Sequence, residues 1–180
     1  MNEDQLIAGC KANNRNAQHE LYQIYAKRMF GVCRRYVDNE ADVEEVLMAG
    51  FLKVFTKIDT FQFSGSFEGW IRRIMVNESL MFLRKQKKTA HLYIELDNNT
   101  HEIATAAEAQ SILQANDIIK LLDYLPPGYR TVFNLYAIEG YSLPDIAEEL
   151  QISVNTVKSQ LFKARQVLQR LIEQRQSKIA

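Results

Sequence analysis

The feature that most constrains this chain lies near its C-terminus, in the run from Ser142 to Gln166. Ser142-Leu143-Pro144-Asp145 sets a serine three residues ahead of a carboxylate, the capping-box arrangement that ties up free amides at a helix start. Pro144 fits there because first-turn amides have no helical partner to lose. The short helix from Leu143 to Leu150 is expected to bury Ile146, Ala147 and Leu150. After Gln151-Ile152 the Ser153 hydroxyl caps a second, longer helix. That punctuation is a helix-turn-helix. At about 100° per residue, Val157, Leu161, Ala164, Leu168 and Leu171 share one face of the last helix. Asn155, Lys158, Ser159, Phe162, Lys163 and Gln166 fall on the opposite face. A helix offering amide, hydroxyl, ammonium and an aromatic ring suits a major groove, where it meets donors, acceptors and thymine methyls. Phe162 is the informative residue, because a merely solvated amphipathic helix, the plain alternative, does not call for an outward ring.

Charge supports the same reading. The formal net charge of the 180-residue chain is zero, so bulk attraction to nucleic acid is excluded and any contact must come from segregated charge. From Lys158 onward the tail holds Lys158, Lys163, Arg165, Arg170, Arg175 and Lys178 against Glu173 alone, enough for phosphate contacts.

The rest of the chain reads as helices. With 47% hydrophobic residues, seven Gly and three Pro, the composition suits a helix-rich globular protein and excludes disorder throughout. A helix opened by Asn16 carries Leu21, Ile24, Tyr25 and Phe30 to Arg35. A second, after Asp38-Asn39-Glu40, turns Val43, Val46, Leu47, Phe51 and Val54 to one side and runs to about Phe55. Asp42, Glu44 and Glu45 in its first turn are favoured by the helix dipole. The stretch from Thr60 to Ser66 is a loop, and Ser66 caps a long helix from Phe67 to about Lys88, striped by Phe67, Trp70 or Ile71, Ile74 and Met81. Beyond it, His91 to Glu108 carries Glu95, Asp97, Glu102 and Glu108 with no Lys or Arg, an acidic linker. A second module begins near Gln114, where Ile118, Ile119, Leu121, Leu122 and Leu125 precede Pro126-Pro127-Gly128. A helix from Tyr129 to Ile138 then leads into the helix-turn-helix. The expectation is an all-α chain of two small helical domains: 1–88, a linker at 89–113, and 114–180.

Phe61, Phe63, Phe67 and Trp70 cluster where the loop meets the long helix, which then carries Arg72, Arg73, Arg84, Lys85, Lys87 and Lys88. Aromatics beside cations suit single-stranded DNA, because bases stack on rings while basic residues hold the backbone. Asn77, with donors and acceptors both, suits the edge of a flipped base. Phe67 and Trp70 fit core packing equally well. The loop pair is better placed, since at least one of Phe61 and Phe63 is hard to bury.

Chemistry of other kinds finds no support. His19, His91, His101, Cys10 and Cys33 lack metal-ligand spacing, and no nucleophile motif or phosphate-binding glycine loop is present. No metal, cofactor or catalysis is expected. Two cysteines make no disulfide framework, the N-terminal stretch is polar and acidic, and no apolar run suits a spanning helix, so a cytoplasmic protein is expected.

Taken together, the chain resembles the extracytoplasmic-function group of sigma-70-type sigma factors. Asp42-Val43-Glu44-Glu45 through Phe51-Leu52-Lys53-Val54-Phe55 resembles the group's core-polymerase-binding helix, which implies Asp42, Glu45, Met48, Phe51 and Lys53 as contacts to the beta-prime clamp. Phe67-Glu68-Gly69-Trp70-Ile71-Arg72-Arg73-Ile74 with Val76-Asn77 resembles its minus-ten reader. That implies Phe61, Phe63, Phe67, Trp70, Arg72, Arg73, Asn77 and Arg84 at melted DNA. Gly140-Tyr141-Ser142, Ile146-Ala147 and Asn155 through Arg165 resemble its minus-thirty-five reader, implying Asn155, Thr156, Lys158, Ser159, Phe162, Lys163 and Arg165 at duplex DNA. The implied partners are core RNA polymerase through its beta-prime clamp and beta flap, promoter DNA, and an anti-sigma factor. Met48 and Ala49 stand where the group usually has Gln and an acidic residue, Gln151 where Gly is common, and Gln160 where Arg is common. The rival reading is a repressor or activator that binds duplex DNA without polymerase; it leaves the aromatic loop unexplained.

Overall fold

The computed structural model describes residues 2–94 and 120–176, with side chains described at 2–86 and 120–174. All regular elements among the described residues are helical. The chain divides into two compact units, Met1–Glu95 and Leu96–Ala180, at a point within the stretch read as linker. Residues 95–113, the helix start near Gln114, and Ile118 and Ile119 lie outside the described residues.

The first unit opens with a helix the sequence reading did not find, α1, Glu3–Lys11. Asn2 and Gln5 form a capping box: the Asn2 Oδ1 accepts the Gln5 N–H at 2.8 Å, and the Gln5 Oε1 accepts the Asn2 N–H at 3.2 Å. Leu6, Ile7 and Cys10 are buried. Helix α2, Arg15–Arg34, is capped by Asn14 rather than Asn16, because Asn14 is extended and its Oδ1 accepts the N–H groups of Asn16 and Ala17. Helix α3, Glu40–Lys57, buries Val43, Val46, Leu47, Phe51 and Val54 as expected, and its first turn holds Glu40 and Asp42. A 3-10 turn, Ile58–Thr60, leads into the aromatic loop.

Helix α4, Phe67–Ile94, starts on Ser66, whose Oγ accepts the Gly69 N–H at 3.0 Å. No proline or glycine interrupts it after Gly69, and it runs six residues beyond Lys88 into the stretch assigned to the linker. Its buried line is Phe67, Ile71, Met75, Val76 and Leu80, whereas Met81, expected in the apolar stripe, is half exposed. The core forms where α2, α3 and α4 pack together, with α1 against α2 and the 3-10 turn. Gly50 allows α3 and α4 to meet closely, since a Cβ there would overlap the Met75 Sδ.

In the second unit residues 120–122 are helical, and Leu121, Leu122 and Leu125 are buried with Ala164 and Leu168. Helix α5, Pro127–Phe133, begins on the prolines that were expected only to end its predecessor, because proline's fixed φ suits a first helical turn. It passes into a wide π turn, Asn134–Ile138, in place of the regular helix expected to Ile138. The Glu139 N–H donates to the Asn134 carbonyl at 3.0 Å and the Tyr141 N–H to that of Leu135 at 2.9 Å. Gly140, at φ 74°, then turns the chain in a conformation that favours glycine.

Helix α6, Leu143–Leu150, has the expected box: the Asp145 Oδ2 accepts from the Ser142 N–H at 3.2 Å and hydroxyl at 2.6 Å, and the Ser142 Oγ accepts the Asp145 N–H at 3.3 Å. Gln151 ends it in the left-handed region. Helix α7, Val154–Gln176, is capped by Ser153, whose Oγ accepts the Thr156 N–H at 3.0 Å.

Candidate nucleic-acid interfaces

Helix α7 carries the clearest surface. Val157, Leu161, Ala164 and Leu168 are buried and Leu171 is half-buried, while Asn155, Lys158, Ser159, Phe162, Lys163 and Gln166 are exposed. Phe162 is 60% exposed, a phenyl ring held in water on the face that also carries Lys158 and Lys163. Thr156 differs from expectation: it is half-buried, and its hydroxyl lies 2.8 Å from the Ser153 Oγ, so it belongs to the helix cap. Arg165 is exposed and its guanidinium sits 5.5 Å from the centroid of the Tyr136 ring. Tyr136, in the π turn, has no sequence signal that links it to α7; the contact with Arg165 is seen only in the fold. Gln160 packs beside Gly128 at the start of α5, where a Cβ would meet its Oε1 at 3.5 Å.

The aromatic loop separates its rings into two kinds. Phe61 and Phe67 are buried, and Trp70 is half-buried. The Phe61 ring packs 5.0 Å from Phe67 and 5.6 Å from Trp70, and Phe67 stacks on Trp70 at 5.7 Å. Tyr25 meets the Phe67 ring edge-on at 5.9 Å. Phe61 and Phe67, expected among the DNA contacts, therefore form the floor of the loop. Phe63 is 58% exposed, rests 5.0 Å from Phe61, and occupies the left-handed region at φ 56°. Lys11 of α1 lies over it, with Nζ 5.4 Å from the ring centroid.

Along α4, Trp70, Arg73, Asn77, Met81 and Arg84 recur at three- and four-residue spacing, the geometry of one helix face. Arg72 falls on a different side of the helix, so it is not gathered with the others. The Asn77 Oδ1 is out of contact with solvent and has no hydrogen-bond partner. An unsatisfied buried acceptor of this kind costs about 1–3 kcal/mol. The Arg28 guanidinium donates to the Glu68 carboxylate at 2.6 Å, tying α2 to the start of α4. The Tyr25 hydroxyl donates to Glu3 at 2.9 Å. Burial and that hydrogen bond push its pKa up to about 12.

On α3 the expected polymerase-facing residues also divide. Met48 is 61% exposed, Glu45 is exposed and Asp42 is half-buried, but Phe51 is buried against Tyr22 at 4.8 Å and cannot reach a partner. Leu52, not singled out as a contact, is 66% exposed and continues the line Glu45, Met48 at helical spacing. Lys53 is half-buried and its Nζ donates to the Glu78 carboxylate at 2.5 Å, joining α3 to α4. An open groove beside this line is bordered by Tyr22, Ala26, Lys27, Phe30, Glu44 and Met48. Among the described residues no cluster of His, Cys, Asp or Glu is arranged to hold a metal ion, and no helix is long and apolar enough to cross a membrane.

Residues 21–89 match the family model described as Sigma-70 region 2, and residues 115–168 the one described as Sigma-70, region 4. The chain is 27% identical over 175 residues to the ECF RNA polymerase sigma factor SigW of Bacillus subtilis, covering 91% of this chain and 93% of that protein. It is 30% identical over 129 residues to the RNA polymerase sigma factor SigV of the same organism, covering 72% of this chain and 75% of SigV. Among solved structures, the sigma factor RpoE of Bartonella quintana, captured with the anti-sigma factor NepR, is similar at a TM-score of 0.53 and 20% identity. That likeness covers 86% of this chain and 96% of RpoE, and it is a likeness of fold.

Proposed function

We infer, for a chain that belongs to the sigma-70 family of RNA polymerase sigma factors and to its extracytoplasmic-function group, that it binds core RNA polymerase and directs it to start transcription at particular promoters. The observation that carries this reading is the outward face of α7, where Phe162, Lys158 and Lys163 stand exposed over a buried apolar seam. That face reads the minus-thirty-five element in the major groove, with the lysines and Arg165 on phosphates and Phe162 on a base methyl.

Residues 1–88, with α4 continuing to Ile94, melt and read the minus-ten element. Phe63 is the ring on which an unpaired base stacks, Phe61 and Phe67 support it from below, and Trp70, Arg73, Asn77 and Arg84 line the neighbouring face of α4. The Asn77 side chain is half-buried on that face, and its carboxamide carries both donors and an acceptor, which suits the edge of a flipped base. Docking on the beta-prime clamp falls to Glu45, Met48 and Leu52 on α3. Residues 114–180 form the second reader, which also meets the beta flap, and the acidic stretch 89–113 joins the two. The protein works beside polymerase in the cytoplasm by binding alone. An anti-sigma factor is a further partner, as the RpoE complex suggests for a related fold.

The test is run-off transcription by purified core polymerase on a pool of genomic promoters, with and without the chain. Defined start sites that require the chain are expected, and Phe63→Ala and Asn77→Ala should each lose promoter opening while keeping core binding. If core neither binds the chain nor initiates, while the chain alone shifts duplex DNA, the polymerase-independent regulator replaces this reading.

A further inference from the structure

The loop assigned to base capture has an unusual charge balance. Between Lys57 and Arg72 the sequence holds no lysine or arginine, yet it carries Asp59 and Glu68. Arg28 pairs with Glu68, so its charge is spent on the protein itself. A loop that receives a polyanion therefore lacks a cation of its own, although phosphate contacts supply much of nucleic-acid affinity.

The charge comes from another element. Lys11 stands in the last turn of α1, and α1 packs on the 3-10 turn from which the loop departs. Its Nζ lies 5.4 Å from the centroid of the Phe63 ring, within the range where the ring's negative face attracts a cation. Phe63 nonetheless remains 58% exposed, on a backbone held at positive φ. An ammonium has three donors, so one can face the ring while the others donate to phosphate oxygens.

We propose that Lys11 is part of the minus-ten reading site, held against the Phe63 ring and supplying the loop's contact to the backbone of a nucleotide captured on the exposed part of that ring. The proposal rests on the base-capture reading of the loop. It differs from the simpler role of a cation favoured by the C-terminal end of α1, which would affect folding but not the electrostatics of DNA binding.

The experiment uses the chain assembled with core RNA polymerase on a promoter recovered by run-off. Opening is read as permanganate reactivity of unpaired thymines across a potassium chloride titration. Lys11→Met should lower open complex about threefold to tenfold and make the slope of log affinity against log salt shallower by about 0.7–0.9, the share of one phosphate contact. Lys11→Arg keeps the charge and the ring contact and should restore both. An unchanged slope in Lys11→Met overturns the proposal, whatever happens to thermal stability. Phe63→Ala separates the two readings. If Phe63→Ala opens DNA as the parent does, base capture by the loop falls; if it is defective and Lys11→Met is not, only the role of Lys11 falls.

Discussion

Replacing Gln151 by glycine tests the joint between α6 and α7. Gln151 sits at φ 54°, ψ 45°, its N–H donating to the Glu148 carbonyl at 3.2 Å while the Ile152 N–H reaches back to Ala147 at 3.0 Å. This pair of bonds is a Schellman ending, which demands a left-handed residue and is most often glycine. A side chain in that region costs about 1–2 kcal/mol. Glycine removes the cost but enlarges the freedom of the unfolded chain, returning about 0.4–1 kcal/mol. The net expectation for Gln151→Gly is a gain of about 0.5–1 kcal/mol. In a unit of this size that raises the unfolding midpoint by about 2–8 °C. Circular dichroism follows both units, whereas Trp70, the sole tryptophan, reports by fluorescence on the first unit only and supplies the internal reference. Gln151→Ala keeps the left-handed cost and should stay within about 0.5 kcal/mol of the parent. Equal shifts for the Gly and Ala variants, or a loss with Gly, would refute the geometry of the turn.

Three further outcomes are expected. Gly50→Ala should destabilise the first unit by about 1–3 kcal/mol through overpacking against Met75, and Met75→Ala in the same chain should recover part of that loss in urea titrations; additive losses would contradict the close approach. Lys163→Ala should weaken binding of the polymerase complex to all promoters alike with a shallower salt slope, whereas Phe162→Ala should relax preference at one base position of the minus-thirty-five element by about 1–3 kcal/mol; binding-site selection distinguishes the two. The third concerns alkaline pH. Burial raises Cys33 from 9.0 to about 11, and Tyr25 moves from 10.0 to about 12. The folded state then keeps protons that the unfolded chain releases, so stability is complete below about pH 9 and falls as pH rises toward 12. Tyr25→Phe should flatten the part of that fall above pH 10, and a urea midpoint with the same alkaline slope in both proteins would count against it.

What the sequence disclosed follows from where periodicity and side-chain chemistry agree. The faces of α7 were legible because Val157, Leu161, Ala164 and Leu168 keep the helical period behind a capped start. Helix α1 was missed although its Asn2 and Gln5 spell a capping box, because nine residues with an acidic start give too short a period to stand out. Burial in the aromatic loop was beyond reach of spacing. Phe61 and Phe63 look alike in sequence, yet Phe61 is extended with its ring buried, whereas Phe63 sits at positive φ with its ring exposed. Phe51 shows the same limit on α3: the residue matching a contact motif lies beneath the surface, and its neighbour Leu52 takes the outward position. The π turn left no trace in the apolar pattern, since a single extra residue per turn lies within the scatter of any short helix.

That turn has a consequence for how this fold diversifies. An α-helix advances about 1.5 Å and 100° per residue, and a π turn accommodates one residue more than the regular path. The residues after Ile138 thus enter the capped start of α6 with an azimuthal offset relative to Pro127–Phe133. Helix α7 is held in one core with Leu121, Leu122 and Leu125 through Ala164 and Leu168, and residues 139–142 between the π turn and α6 are not helical. A change of length within Asn134–Ile138 would therefore shift the seat of α6 against an α7 that keeps its packing, so this turn is where the angle between the two helices can vary without any change on the outward face of α7.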